Sequence, residues 1–248
     1  MGKKMGVAVN TKEHYENHLA EYYSWMFGDF NAKINEGQRF FQSHNIKPVS
    51  TKIAIDLGAG CGFQSIPLAK IGFNVKAIDF SKKLLDELKS KSNGLSIEVI
   101  ENDILNFNFY SNHNPELIVC MGDTITHLDS LESVRELIKN SHEILLKNGK
   151  LVLTFRDLTF ELKGEDRFIP VNSDDGRIFT CFLEYQPDYV KVFDIVYEKK
   201  KGKWIQQISS YKKLKISQPA IKEYFEDAGF KIEFMGIENG LVTVIGIK

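Results

Sequence analysis

Glycines at 58, 60 and 62 follow one apolar run, and an acid, Asp79, ends the next. That pairing suits the chemistry of holding a nucleoside. Ala54-Ile55-Asp56-Leu57 begins apolar, as a buried parallel strand does, and Phe63 to Ile71 behind the glycines has a helical pattern. Glycine at such a junction lets the backbone turn tightly and lets a ligand lie against the main chain of Gly58, Ala59 and Gly60. The second run, Phe73-Asn74-Val75-Lys76-Ala77-Ile78, delivers Asp79 and Phe80 to the same edge. A carboxylate there accepts hydrogen bonds from two ribose hydroxyls. Ser81 is better placed than Asp79 to cap the helix that follows. Cys61 lies inside the loop with no cysteine or histidine nearby at metal-binding spacing, so no metal site is expected.

Which nucleoside cofactor is bound depends on the third glycine. The dinucleotide fingerprint is Gly-x-Gly-x-x-Gly. Here that glycine comes one position early, at Gly62, and Phe63 stands in its place. A large ring at the helix start does not help a pyrophosphate approach the helix N-terminus. The form opened by Asp56, Asp-x-Gly-x-Gly-x-Gly, resembles motif I of the class I S-adenosylmethionine (SAM)-dependent methyltransferases. The resemblance spans Lys52 to Asp157: Asp79 after strand 2, Asn102-Asp103-Ile104 after strand 3, Leu117 to Leu128 across strand 4 and its loop, and Asn148-Gly149-Lys150 before strand 5.

The resemblance implies a SAM site, with S-adenosylhomocysteine as product. Asp103 would meet the adenine amino group, Ile104 would pack on the base, and Met121 and Gly122 would touch the cofactor after strand 4. Asp56 would either orient the loop through its amides or meet the cofactor directly. Arg39 would reach the carboxylate of the methionine part, or is a surface arginine. Tyr22, Tyr23 and Trp25 belong to an aromatic N-terminal helix that in this family acts as a lid; aromatic faces attract a sulfonium cation by about 0.5–2 kcal/mol. Core packing is the competing role for these rings. Met121-Gly122-Asp123-Thr124-Ile125-Thr126-His127-Leu128 is similar to the strand-4 loop of glycine/sarcosine and sugar N-methyltransferases. On that likeness His127 is a general base or a substrate hydrogen-bond donor, or else a histidine satisfied within its loop. The Asn/Asp-Pro-Pro-Tyr/Phe loop of enzymes that methylate amino groups of DNA bases and protein glutamine is absent, which speaks against nucleic acid as substrate. The expected activity is methyl transfer from SAM to nitrogen or oxygen of a small molecule. An NAD(P)-dependent oxidoreductase and a non-catalytic SAM- or nucleoside-binding module are the alternatives.

The positioning elements follow from the pattern. From Thr51 to Phe155, strands (Ile53–Leu57, Asn74–Ile78, Ser96–Glu101, Leu117–Cys120, Lys150–Phe155) alternate with helices (Phe63–Ile71, Lys82–Lys91, Leu131–Leu146), which makes a parallel sheet covered on both faces. Arg177–Tyr185, Tyr189–Lys199 and Trp204–Leu214 are β segments separated by short turns, hence antiparallel. Helix Gln218–Ala228 and strands Ile232–Gly236 and Leu241–Ile247 close the sheet. The expected fold is α/β, a Rossmann-like methyltransferase fold: a mainly parallel seven-stranded sheet, an N-terminal helical lid and an antiparallel β insertion after strand 5. The segments are a lid over 1–50, a core over 51–158 and 215–248, and an insertion over 159–214 that roofs the pocket, binds substrate or forms a dimer surface.

Bulk composition narrows the partners. The 248 residues are 43% hydrophobic and 26% charged, enough for a full core, and the net charge of −1 offers no basic excess for nucleic acid. No run approaches the ~18 apolar residues of a membrane span. Met1-Gly2-Lys3-Lys4-Met5-Gly6-Val7 lacks the apolar stretch of a signal peptide. Three widely spaced cysteines fit reduced thiols. A cytoplasmic monomer or homodimer acting on a small molecule is expected.

Overall fold

The computed structural model describes residues 11–106 and 110–248; the Met1–Val7 reading and the first ten residues of the expected lid lie outside them. In chain order, irregular helical turns run from Thr11 to Met26, followed by helix α1 (Phe30–Ser43). Then come β1 (Ile53–Leu57), α2 (Ser65–Lys70), β2 (Asn74–Asp79), α3 (Lys82–Lys91), β3 (Ile97–Glu101), β4 (Leu117–Cys120), α4 (Leu131–Ile144) and β5 (Lys150–Phe155). The inserted strands are β6 (Phe168–Ser173), β7 (Arg177–Tyr185), β8 (Tyr189–Lys200) and β9 (Lys203–Leu214), and the chain closes with α5 (Gln218–Asp227), β10 (Lys231–Glu238) and β11 (Leu241–Ile247).

Seven strands form one sheet in the order β10-β11-β5-β4-β1-β2-β3. β3, β2, β1, β4 and β5 are parallel, and β11 runs antiparallel between β5 and β10. The order reverses between β1 and β4, which places a crevice above their carboxyl ends. The central strands β1, β4 and β5 are buried on both faces and so read as near-continuous apolar runs, whereas β3 and β10 at the edges alternate. One face packs Ile55, Ile118 and Leu153 with Leu137 of α4 and Phe225 of α5; the other packs Ala54, Val119 and Val152 with Phe41 of α1, Leu68 of α2 and Leu88 of α3. Cys120 and Cys61 lie in these two layers, one in each, both fully buried.

The expected boundaries hold to within one or two residues, with three differences. α2 begins at Ser65, because Gly62 (φ +98°) still turns the chain and a Cβ there would meet Leu88 Cδ1 at 2.4 Å. Gly62 thus serves the packing of α3. α4 stops at Ile144, since Leu145 is extended. β6 was not anticipated: it is an exposed edge strand carrying Pro170, with a register shift between Pro170 and Asn172. Proline lowers a strand signal and is tolerated at such an edge.

β6-β7-β8-β9 form a separate antiparallel sheet. Its inner face buries Phe179, Leu183, Val192, Val196 and Tyr211, while Ile178, Tyr197, Trp204 and Ile208 are exposed. The N-terminal turns lie against the inner face, where Leu19 and Tyr22 pack with Phe179 and Val196. Asp29 caps α1 by accepting from the Ala32 amide at 2.7 Å, which separates α1 from the turns before Gly28.

Candidate active site

The glycine loop is stitched to the next strand by its own amides. The Gly58 and Ala59 N–H groups both donate to the Ile78 carbonyl, at 2.8 and 2.9 Å, and the Gly60 N–H donates to Asp79 Oδ2 at 2.9 Å. The loop therefore offers a ligand bare Cα surface and not free amides. Gly58 has φ +79°, and a Cβ there would fall 2.4 Å from Thr124 Cγ2. Strain and collision both require glycine. Asp79 Oδ1 accepts from the Ser81 N–H at 2.8 Å, whereas the Ser81 hydroxyl makes no capping bond. Burial pushes the Asp79 carboxyl up, and the Ser81 and Gly60 amides pull it back. A carboxylate fixed on each oxygen by one amide keeps further lone pairs to accept hydroxyls.

Asp79 opens into a cleft of about 150 Å³ over the sheet edge. Gly58, Gly60, Phe80, Asp103, Ile104 and Gly122 share its wall, with Tyr15, Tyr23, Thr124 and His127 at the other side. Asp103 Oδ1 accepts from the Leu105 amide at 2.8 Å, and its carbonyl accepts from the Tyr110 hydroxyl at 2.8 Å, which fixes the turn after β3. A second cleft, of about 410 Å³, adjoins the first through Tyr23, Gly58 and Gly122. It runs past Ala59, Met121 and Thr154 to Arg39 on α1 and the β10–β11 turn at Asn239. The two form one crevice about the loop.

The far wall of the first cleft is aromatic. His127 ends a short helical turn (Thr124–His127) after β4, with Nε2 3.5 Å from the Tyr15 hydroxyl. Its ring stacks on Tyr211 of β9 at 5.3 Å, and Tyr15 meets Phe80 edge-on at 5.6 Å. Nδ1 of His127 is buried without a hydrogen-bond partner. Burial drives the imidazole well below its ordinary range, and the nearby positive charge of Lys213 and His14 adds to that. A neutral imidazole with a free lone pair can accept a proton. Asp123 steadies this turn: it is buried at φ +79°, its Oδ1 accepts from the Arg156 amide at 2.9 Å, and its Oδ2 accepts from Lys213 Nζ of β9 at 2.5 Å.

Residues 54–149 match the sequence profile of a family described as a methyltransferase domain. S-adenosylmethionine is its methyl donor. Two curated relatives are a glycine/sarcosine N-methyltransferase from Aphanothece halophytica, 26% identical over 162 residues, and a ubiquinone biosynthesis O-methyltransferase from Pelagibacter ubique, 27% identical over 148. The matches cover 61% and 54% of this chain, and only 58% and 57% of those proteins' own length. A SAM-bound amino pentose methyltransferase from Micromonospora echinaspora superposes with TM-score 0.72 at 12% identity, over 100% of this chain and 99% of that one. It shares the whole fold, insertion included.

Most residues singled out in the sequence converge on the crevice: Gly58, Ala59, Gly60, Asp79, Phe80, Asp103, Ile104, Met121, Gly122 and His127, with Arg39 from the helix before β1. Three do not line it. Asp56 is buried beneath the loop, where Oδ2 accepts from the Ser65 hydroxyl at 2.5 Å and so ties β1 to the start of α2. Burial raises its carboxyl to about 7. Tyr22 is turned into the insertion beside Phe179, and Trp25 donates its indole N–H to Asp174 at 2.7 Å. Among the lid's tyrosines and tryptophan, Tyr23 and, unanticipated, Tyr15 line the first cleft. The reason is a π-helical turn at Tyr15–Leu19, which breaks the phase a regular helix would give to residues 15, 22 and 25. Arg39 is exposed and makes no ion pair among the described residues. No group of three metal-ligating side chains comes together among the described residues, and no described helix is long and apolar enough to cross a membrane.

Proposed function

We propose that the chain transfers the sulfonium methyl of SAM to the amine nitrogen of a small molecule. The observation that carries this reading is the single crevice that joins the Asp79 carboxylate, poised for a diol, to a neutral His127 beside the Tyr15 hydroxyl. Asp79 and Gly60 are suited to the ribose, Asp103 and Ile104 to the adenine, and the second cleft with Arg39 to the methionine carboxylate. Phe63 supports this choice over a dinucleotide: it packs with Tyr23, Phe27 and Phe30 where a pyrophosphate would need the helix start.

SAM supplies an activated methyl group, so the protein's task is alignment and exclusion of water. Holding two reactants in attack geometry supplies roughly 7–11 kcal/mol of a barrier. Tyr15, Tyr23 and Phe80 present aromatic faces and edges to the cation and shield it from solvent. His127 Nε2, unprotonated at neutral pH, accepts an N–H of the neutral acceptor amine, turns the nitrogen lone pair toward the methyl for in-line attack, and relays to solvent the proton that the methylated nitrogen sheds. Nitrogen is favoured because the strand-4 loop and the glycine/sarcosine relative point to it, and because a neutral amine needs no strong base to attack. The O-methyltransferase relative keeps a phenol as the second reading, since the same base serves a hydroxyl.

The insertion reaches this site from behind. Neither cleft is lined by a residue of 159–214, but Tyr211 backs His127 and Lys213 holds Asp123. Its part is to set the acceptor end. The test is a methyl-donor assay with SAM over primary and secondary amines, phenols and carboxylates, alongside calorimetry with S-adenosylhomocysteine and NAD. Amine methylation with selective S-adenosylhomocysteine binding is the expected result. Turnover of phenols alone would transfer the reading to oxygen, and binding without any turnover would leave a non-catalytic SAM module.

A further inference from the structure

We infer that Asp194, on the inserted sheet and outside the lining of both clefts, is a positioning residue for Tyr15, acting through His14. This rests on the methyl-transfer reading above. His14 Nε2 lies 2.9 Å from Asp194 Oδ2, and the two side chains are 0% and 4% exposed. They are 180 residues apart in the chain. His14 also packs, tilted, on Tyr211 at 4.3 Å, and Tyr211 in turn stacks on His127. Asp194 Oδ1 accepts from the Cys181 thiol at 3.2 Å, so the carboxylate is held from β7 as well. A buried imidazole–carboxylate hydrogen bond fixes geometry strongly, because either partner left alone would be an unsatisfied polar group in a dry interior.

The next residue after His14 is Tyr15, whose hydroxyl stands 3.5 Å from His127 Nε2. That distance is at the outer limit of a hydrogen bond and cannot by itself hold the ring in place. The ring also packs on Tyr23, Phe80 and His127, and on the α3 side of the crevice the next residue, Glu16, accepts from Lys83 through its carbonyl while Ser24 donates to Glu87 at 2.6 Å. The anchor on the insertion side nearest to Tyr15 is His14 on Asp194. The insertion, which lines neither cleft of the crevice, thus governs the acceptor end by deciding where the lid's first aromatic sits. Cofactor contacts at Asp79 and Gly60 have no part in this chain of residues.

The experiment compares wild type, Asp194→Ala, Asp194→Asn, Tyr15→Phe and the Asp194→Ala/Tyr15→Phe double variant with the best amine acceptor. Asp194→Ala is expected to lower kcat about tenfold or more, since a shift of about an ångström can cost on the order of a hundredfold, while the Kd for S-adenosylhomocysteine stays within about twofold. Asparagine accepts from the same imidazole N–H, so Asp194→Asn should recover most of the rate. Tyr15→Phe should lower the rate in wild type but add nothing in the Asp194→Ala background, because the ring is already displaced. Equal losses in both backgrounds, or a rate loss in Asp194→Ala that follows only the unfolded fraction, would overturn the assignment. Hydrogen exchange at residues 15–23 with S-adenosylhomocysteine bound reads the latch without turnover. Faster exchange there in Asp194→Ala, with 54–149 unchanged, supports it, and unchanged exchange overturns it. A wild-type chain that transfers methyl to no acceptor removes the methyl-transfer reading alone.

Discussion

The two ends of the crevice are built by opposite means. At the Asp79 end, the partners lie close in sequence: Gly60 and Asp79 are 19 residues apart, Asp79 and Ser81 are 2 apart, and all sit on strand ends of one sheet. At the His127 end, the partners are brought together from afar: Tyr15 and His127 are 112 residues apart, and Lys213 and Asp123 are 90 apart. The first end is backbone geometry fixed by a doubly covered sheet. The second is side chain on side chain, between a lid, a loop and an inserted sheet. Such a division lets the acceptor end change while the cofactor end stays intact.

The largest expected effect breaks the acceptor end alone. His127→Gln should lower kcat about a hundredfold, the usual scale for a lost general base, with S-adenosylhomocysteine affinity nearly unchanged. Because burial holds the imidazole well below its ordinary range, the acid limb of kcat should lie below pH 6.5. A limb at or above neutrality would assign the proton transfer to another group.

Next comes the cofactor end alone. Asp79→Ala removes a charged acceptor worth about 1.5–3 kcal/mol per hydrogen bond, so calorimetry should show S-adenosylhomocysteine binding weakened roughly tenfold to a hundredfold. An unchanged Kd in a folded variant would take Asp79 out of the site. Gly58→Ala should follow at about tenfold, because overpacking costs about 1–3 kcal/mol and the new Cβ would collide with Thr124. Gly28 supplies the control: it also has φ +79° but has nothing within 4 Å of a Cβ. Gly28→Ala should cost stability through backbone strain and leave binding alone; equal binding losses in the two would mean that strain, and not the Thr124 contact, is what Gly58 avoids.

The smallest effect on binding is expected at Asp56, which belongs to neither end. Its carboxyl is raised to about 7 in the folded protein, above its unfolded value. A raised acid is favourable when protonated, so its contribution is present at low pH and is lost as pH rises through about 7. Asp56→Asn keeps an acceptor for Ser65 and cannot ionise. Thermal melts should show this variant gaining on wild type from about pH 4 upward, with no change in S-adenosylhomocysteine affinity. A weakened Kd would put Asp56 in contact with cofactor after all.

The same division explains what could be read from the chain. The core strands were legible because each is a short apolar run bounded by turn residues, and Gly58, Asp79 and Asp103 were legible because they terminate those runs. The strand carrying Pro170 was not, since an exposed edge with proline lacks the apolar run that marks a strand. The choice among aromatics of the lid was not legible either. In a regular helix Tyr15, Tyr22 and Trp25 would share a side, but the π turn at Tyr15–Leu19 breaks that phase, so Tyr15 and Tyr23 line the crevice while Tyr22 packs on the insertion.

The cysteines, of no evident use to the chemistry, turn out to be distributed one to a layer. Cys61 lies under the helices α1 to α3, Cys120 under α4 and α5, and Cys181 in the inserted sheet. Burial pushes all three thiols up; Cys61 and Cys120 are fully enclosed and react only when their own layers open, while Cys181 is partly exposed. A thiol reagent followed by peptide mass mapping therefore reads two local opening equilibria in one unaltered chain, with Cys181 as the reference for an accessible sulfur. The order in which Cys61 and Cys120 are labelled is the order in which the two faces of the sheet come apart.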